Sequence, residues 1–286
     1  MILSTFFIVA SDVIVKLQAD FLPASEILFF RSLFGIILLL LSFIYFPIKQ
    51  KGGKFGLLLL GGFFSFLGPS IFYYLIANID LASASVLFKS SVLFGTLFSF
   101  IFLKERLSYL QILALFIGFT GVLLVLQPQV SFSRFEILGL ICGSSTGVTY
   151  QVIKIIKNHY SSRTIVLTSL LFNCVILGIG MIVAHFIETK ALDFMINKFV
   201  MPDLNSFLLL FSIALLALIA NILKTKAFIY AKTGIIGSIS YLRIALSCFL
   251  GILLGDNLPD TLMIIGIILI IISGIMVSLN KTKDLI

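Results

Sequence analysis

Five ionisable residues lie inside long apolar stretches of this sequence: Asp12, Lys16, Arg31, Lys89 and Arg243. A charge held at the centre of a bilayer costs roughly 3 kcal/mol or more unless it is paired or wetted, so each is a candidate for function. Arg31, Lys89 and Arg243 carry the chemistry that grips a carboxylate or a phosphate. Asp12 is the deepest carboxylate and the candidate for proton coupling. A local ion pair with Lys16, one helical turn on, is the competing reading for it. Arg31 reads equally as a ligand group or as the partner of Glu26 or Asp12. Neither Lys89 nor Arg243 has a carboxylate at pairing distance along its own span, and helix-to-helix hydrogen bonding or snorkelling is the alternative for both.

Neutral polar groups widen the set. Ala82, Ser85 and Thr96 share the face of Lys89, and Ser240 and Ser247 share that of Arg243. Tyr73, Tyr74, Tyr150, Gln151, Asn173 and Asn221 are polar groups within the spans and are candidates to line a cavity. The run Gly143-Ser-Ser-Thr-Gly147 reads first as a device for close helix packing. Paired acids, a histidine cluster or a nucleophile with its base would indicate an enzyme, and the sequence offers none. His159 and His185 have no metal partner at ligand spacing, and Cys142, Cys174 and Cys248 form no CxxC pair. The expectation is no catalytic residue, no metal and no cofactor.

The elements that must position these residues are apolar helices. The chain is 60% hydrophobic and 11% charged over 286 residues, with a mean hydropathy of +1.21, too apolar to be hidden in one soluble core. Runs between turn and charge signals predict helices near 2–21, 24–46, 56–77, 81–103, 107–127, 136–156, 164–187, 206–228, 234–254 and 260–279. Most match the roughly 20 residues that span a bilayer. The first segment lacks the basic start of a signal peptide and fits a first helix better. The net charge of +8 sits in short clusters between apolar runs, which marks topology and argues against nucleic acid. With the N-terminus inside, thirteen of the twenty Lys and Arg residues fall on the cytoplasmic side and four outside, which places both termini in the cytoplasm.

Ten spans divide into five and five. Leu103-Lys-Glu-Arg-Leu107 precedes the fifth span and Leu254-Gly-Asp-Asn-Leu258 the tenth, each followed at similar depth by a glycine, Gly121 and Gly274. Because five is odd, the second half must be inverted relative to the first. Together with Lys16, Pro23, Phe30-Arg31, Tyr241-Leu-Arg243 and Leu258-Pro-Asp260, these motifs resemble the EamA-type transporters of the drug/metabolite transporter superfamily. Lys104 and Asp256 depart from the family's usual glycine and glutamate. The resemblance implies an all-α membrane protein of two inverted repeats, 1–128 and 135–280, with a central cavity. It implies a secondary transporter seated in the bilayer of a bacterial inner membrane and leaves the substrate open; the excess of cations over acids at depth is what points to a small anionic or zwitterionic metabolite. The expected substrate-binding set is Arg31, Lys89, Tyr74, Tyr150, Gln151, Asn221, Tyr241 and Arg243. A membrane scaffold or assembly subunit is the alternative, although it leaves the mid-membrane cations unexplained.

This topology makes a direct prediction. Reporters fused after Lys54, Arg163 or Lys283 should report cytoplasm, and one placed within 190–203 should report the outside; a cytoplasmic signal from that segment would overturn the helix count.

Overall fold

The computed structural model describes residues 2–45, 50–103, 108–126, 133–186, 192–230 and 241–280, with the backbone alone at 103, 221, 222, 224–230 and 277–280. Among these residues there are eleven α-helices and no strand. They are α1 (Ile2–Gln18), α2 (Ala24–Tyr45), α3 (Phe55–Asn78), α4 (Leu81–Lys89), α5 (Ser91–Leu103) and α6 (Tyr109–Leu126), then α7 (Arg134–Ile156), α8 (Ser162–Val183), α9 (Leu204–Tyr230), α10 (Leu242–Leu253) and α11 (Thr261–Asn280). Helix is the expected answer for such a chain, because in hydrocarbon every backbone N–H and C=O must be satisfied from within. Five stretches are long and apolar enough to cross a membrane by length and composition: Ala24–Tyr45, Phe55–Asn78, Leu81–Phe102, Tyr109–Leu126 and Ser162–Val183. Large apolar side chains such as Ile44, Phe116 and Ile182 point outward from these helices, as lipid contact requires.

The span expected at 81–103 is two helices. Ser90 ends α4, and its hydroxyl donates to the Leu87 carbonyl three residues back, in competition with the regular ladder. The break falls at a Ser-Ser pair packed against α7, where a Cβ on Gly143 would lie 2.2 Å from Ser90 Oγ. Of the span expected at 234–254, only α10 is described, so Ser240 lies outside the described residues. A proline inside α3 has its own compensation. Pro69 has no N–H to give the Ser65 carbonyl one turn earlier, and the Ser169 hydroxyl of α8 donates to that carbonyl instead at 3.4 Å.

Helix pairing carries the two-fold plan. α1 packs on α9, α3 on α7, α2 on α8, α4 on α10 and α6 on α11. Counting α4 with α5 as the fourth span, exchange of the two five-span halves converts the first pair into the second and leaves the other three unchanged. Such a pattern follows from two inverted halves facing each other across an axis in the membrane plane. Polar fasteners cross the seam: Ser4 donates to the Ala220 carbonyl, Ser85 to Ser247, and Ser273 to the Ala114 carbonyl. The largest core cluster gathers Val15, Ile27, Phe66, Phe72, Leu87, Leu177 and Ile213 from both halves. Outside the spans, Asp203 caps α9 by accepting from the Ser206 N–H at 2.9 Å, and its hydrogen bonds to Ser206 hold the carboxyl below its ordinary range.

The α6–α11 crossing is close. A Cβ on Gly121 would come within 2.8 Å of the Gly266 carbonyl oxygen, and one on Gly266 within 2.7 Å of the Gly121 carbonyl oxygen. Backbone cannot yield as a side chain tip does. Gly121→Val and Gly266→Val should each cost about 1–3 kcal/mol, read as a lower melting temperature of the purified protein. Gly56→Val, whose Cβ meets nothing within 4 Å, is the control; equal melting of all three variants would show that the crossing is not tight.

Candidate functional site

α1 and α10 come together at mid-bundle through a buried ion pair. Arg243 Nη2 donates to Asp12 Oδ2 at 2.7 Å, with the two residues only 8% and 2% exposed. The carboxylate missing from the span of Arg243 is therefore supplied by another helix, 231 residues away in sequence. The guanidinium carbon stands 4.8 Å from the ring centres of both Phe72 on α3 and Phe88 on α4. Those rings are 4.7 Å apart, so they form one aromatic wall on a single side of the arginine. Nothing in the spacing of the phenylalanines distinguished these two from the others in the chain.

Arg31 of α2 belongs to the same neighbourhood. Its Nη1 donates to the Tyr73 hydroxyl at 2.6 Å, and its charge acts on the Asp12 carboxylate together with that of Arg243. Of the two partners considered for Arg31, Asp12 is the one within electrostatic reach. Glu26 turns elsewhere and accepts from the Val200 N–H at 3.0 Å. Lys89, at the end of α4, stands 5.8 Å from the ring centre of Tyr241. Tyr241 is almost wholly buried against α11, where Gly274 leaves it room: a Cβ there would lie 1.8 Å from the ring. Its hydroxyl has no hydrogen-bond partner among the described residues.

The local pair expected between Asp12 and Lys16 does not form. Lys16 is ion-paired with Asp256, just beyond α10, and also donates to the Ile79 carbonyl at 3.3 Å. Asp256 Oδ2 accepts the Leu81 N–H at 2.9 Å, so this carboxylate caps the N-terminus of α4 from the other half of the chain. Two ion pairs thus tie α1 to the α10 region, each joining residues of opposite halves.

The remaining expected site residues are dispersed. Tyr74 is at the bundle end, donating to Asp193 Oδ2 at 2.9 Å, with Arg134 paired to the same carboxylate and stacked 5.5 Å from the tyrosine ring. Gln151 is spent on helix packing, since its Nε2 donates to the Gly95 carbonyl at 2.6 Å and its Oε1 accepts from Ser99 at 2.9 Å. Tyr150, next to it on α7, is the exception: it is 39% exposed and within electrostatic reach of Tyr241. Ser85 is fully buried in its bond to Ser247, which removes it from the expected cavity lining. Asn221 lies on α9 where the backbone alone is described.

Apolar helices paired across two halves around a mid-bundle charge cluster define a multi-pass membrane protein. Residues 1–127 match the EamA-like transporter family. Over nearly its full length the chain is similar to the pseudopaline exporter CntI of Pseudomonas aeruginosa, at 29% identity covering 99% of this chain and 95% of that protein. An uncharacterised transporter of Helicobacter pylori is 28% identical over 93% of this chain and 88% of its own length. The S-adenosylmethionine uptake transporter of Rickettsia bellii is 22% identical, covering 96% and 90% respectively. A solved crystal structure superposes with a TM-score of 0.60 at 14% identity, spanning 99% of this chain and 97% of that one, and shows the shared fold.

The Asp256 geometry separates cap from charge. Asp256→Asn keeps an acceptor for the Leu81 N–H and loses the ion pair, whereas Asp256→Leu loses both. The leucine variant should be destabilised by about 1 kcal/mol more than the asparagine variant in thermal unfolding, the usual worth of a helix cap. Equal loss would show that the cap contributes nothing.

Proposed function

We propose that this protein is a secondary active transporter that carries a small anionic or zwitterionic metabolite across the bacterial inner membrane by alternating access. One observation carries the choice of charge: two buried or half-buried guanidinium groups, Arg243 and Arg31, bear on a single carboxylate, Asp12. A site with that balance favours an anionic group entering from outside the protein. Lys89 beside Tyr241 adds a third cation on the adjoining helix. The relatives support the general activity, because CntI is an exporter of pseudopaline and the Rickettsia bellii protein an uptake transporter of S-adenosylmethionine.

In this reading the repeats 1–128 and 135–280 rock against each other about the cluster, with both termini in the cytoplasm and the lipid bilayer as surrounding solvent. The Asp12–Arg243 and Lys16–Asp256 pairs lie across the moving seam. Asp12 is the group through which a proton couples to the movement.

Proteoliposomes containing the purified protein test this with labelled pseudopaline and S-adenosylmethionine, together with untargeted metabolite profiling of deletion cells. Arg243→Gln and Lys89→Gln should insert and fold yet lose flux and ligand-dependent thermal stabilisation. Arg243→Lys should retain part of both, because charge survives without the planar fork. Asp12→Asn should remove the dependence of flux on a pH gradient. Unchanged ligand affinity in Arg243→Gln would overturn the anion site.

A further inference from the structure

The Asp12–Arg243 contact uses only half of the edge it occupies. In a guanidinium, Nε–H and Nη2–H lie side by side and point in parallel, which is why a carboxylate can take both at once. Here Nη2 donates to Asp12 Oδ2 at 2.7 Å, while the neighbouring Nε is buried and has no acceptor among the described residues. A buried donor left without an acceptor is costly. The aromatic wall of Phe72 and Phe88 offers no oxygen to relieve it.

We infer that Asp12 is a tethered competitor for the substrate, holding Arg243 in a one-point grip that a carboxylate-bearing ligand displaces with a two-point one. The inference rests on the anion-site reading above and narrows the ligand to one with a planar carboxylate, the group whose place Asp12 keeps. Incoming carboxylate satisfies both Nη2 and the orphaned Nε, so it gains a charge-assisted hydrogen bond that the resting pair lacks. The displaced aspartate does not lose all compensation. Arg31 on α2 already acts on its charge, and Lys16 follows one turn along α1. Among the described residues, the other groups facing this point are the hydroxyl of Tyr73 on α3, bonded to Arg31, and the thiol of Cys142 on α7, bonded to the Gly68 carbonyl. Neither offers a rival carboxylate. Because Asp12 belongs to α1 and Arg243 to α10, exchanging one anion for the other also breaks one of the two ion pairs that join these helices of opposite halves, so substrate binding loosens the seam.

The probe is benzoate, with benzamide as its uncharged counterpart, titrated against the purified full-length protein in lipid nanodiscs. Asp12→Asn removes the competing charge at nearly constant shape and should bind benzoate about tenfold or more tighter than the unmutated protein, the worth of one charge-assisted hydrogen bond. Benzamide should show no such gain, and the double variant Asp12→Asn with Arg243→Gln should lose it. Equal or weaker benzoate binding by Asp12→Asn, or no binding by either protein, overturns the inference. Should Asp12→Asn not fold, infrared difference spectra of the unmutated protein decide: adding carboxyl-13C benzoate should shift the band of a buried aspartate carboxylate, and an unshifted band overturns the inference. The two readings fail separately. Loss of flux in Arg243→Gln without tighter benzoate binding in Asp12→Asn rejects the competitor alone, whereas full flux in Arg243→Gln rejects the anion site itself.

Discussion

Hydrocarbon offers a charge no water, so any ion placed among these helices must find its counter-ion in the protein. Arg243 and Asp12 meet that requirement for each other, and much of the architecture follows from where they stand. One sits near the start of α10, the other in the second half of α1, and the pair forms only if the two halves of the chain face each other. Removing one member of a buried pair typically costs about 3–5 kcal/mol, since the survivor stays desolvated. The contact is therefore strong as a constraint on geometry even where its net contribution to stability is small.

The other contacts between helices obey the same shortage of water. Lipid tails are as apolar as leucine, so helices associate through close packing and short polar bonds rather than through a hydrophobic drive. Gln151 reaching α5, Ser273 reaching α6 and Ser169 answering the carbonyl opposite Pro69 are all of this kind. Each is a single bond worth little alone. The seam is built from many such fasteners and two ion pairs.

Polar contacts close one end of the bundle. There Lys16, Asp256 and the start of α4 are joined, and segment 192–203 lies across α2, α3 and α7 through Glu26, Ser70, Tyr74 and Arg134. Phe194 of that segment is buried in the main core cluster. The mid-bundle cluster is thus covered from this side by groups of both halves.

The sequence by itself determined that the chain is built of apolar helices and that cations stand where lipid would forbid them, because hydropathy, turn residues and charge clusters are local properties read within about 20 residues; the break at Ser90 that makes two helices of the span expected at 81–103 was beyond it. It also carried the two-fold plan, through an odd number of spans per half and the motifs before spans five and ten. Partner choice was beyond it. Asp12 and Lys16 stand one turn apart and satisfy every local rule for a pair, yet each is claimed by a residue more than 230 positions away. Gln151 and Ser85 have the composition of cavity lining and are consumed by neighbouring helices. Which of several chemically eligible groups meets an ion depends on rotation and crossing of helices from opposite halves. Those are set by close contacts such as Gly121 on Gly266 and Gly274 under Tyr241, and only the tertiary structure brings such surfaces together.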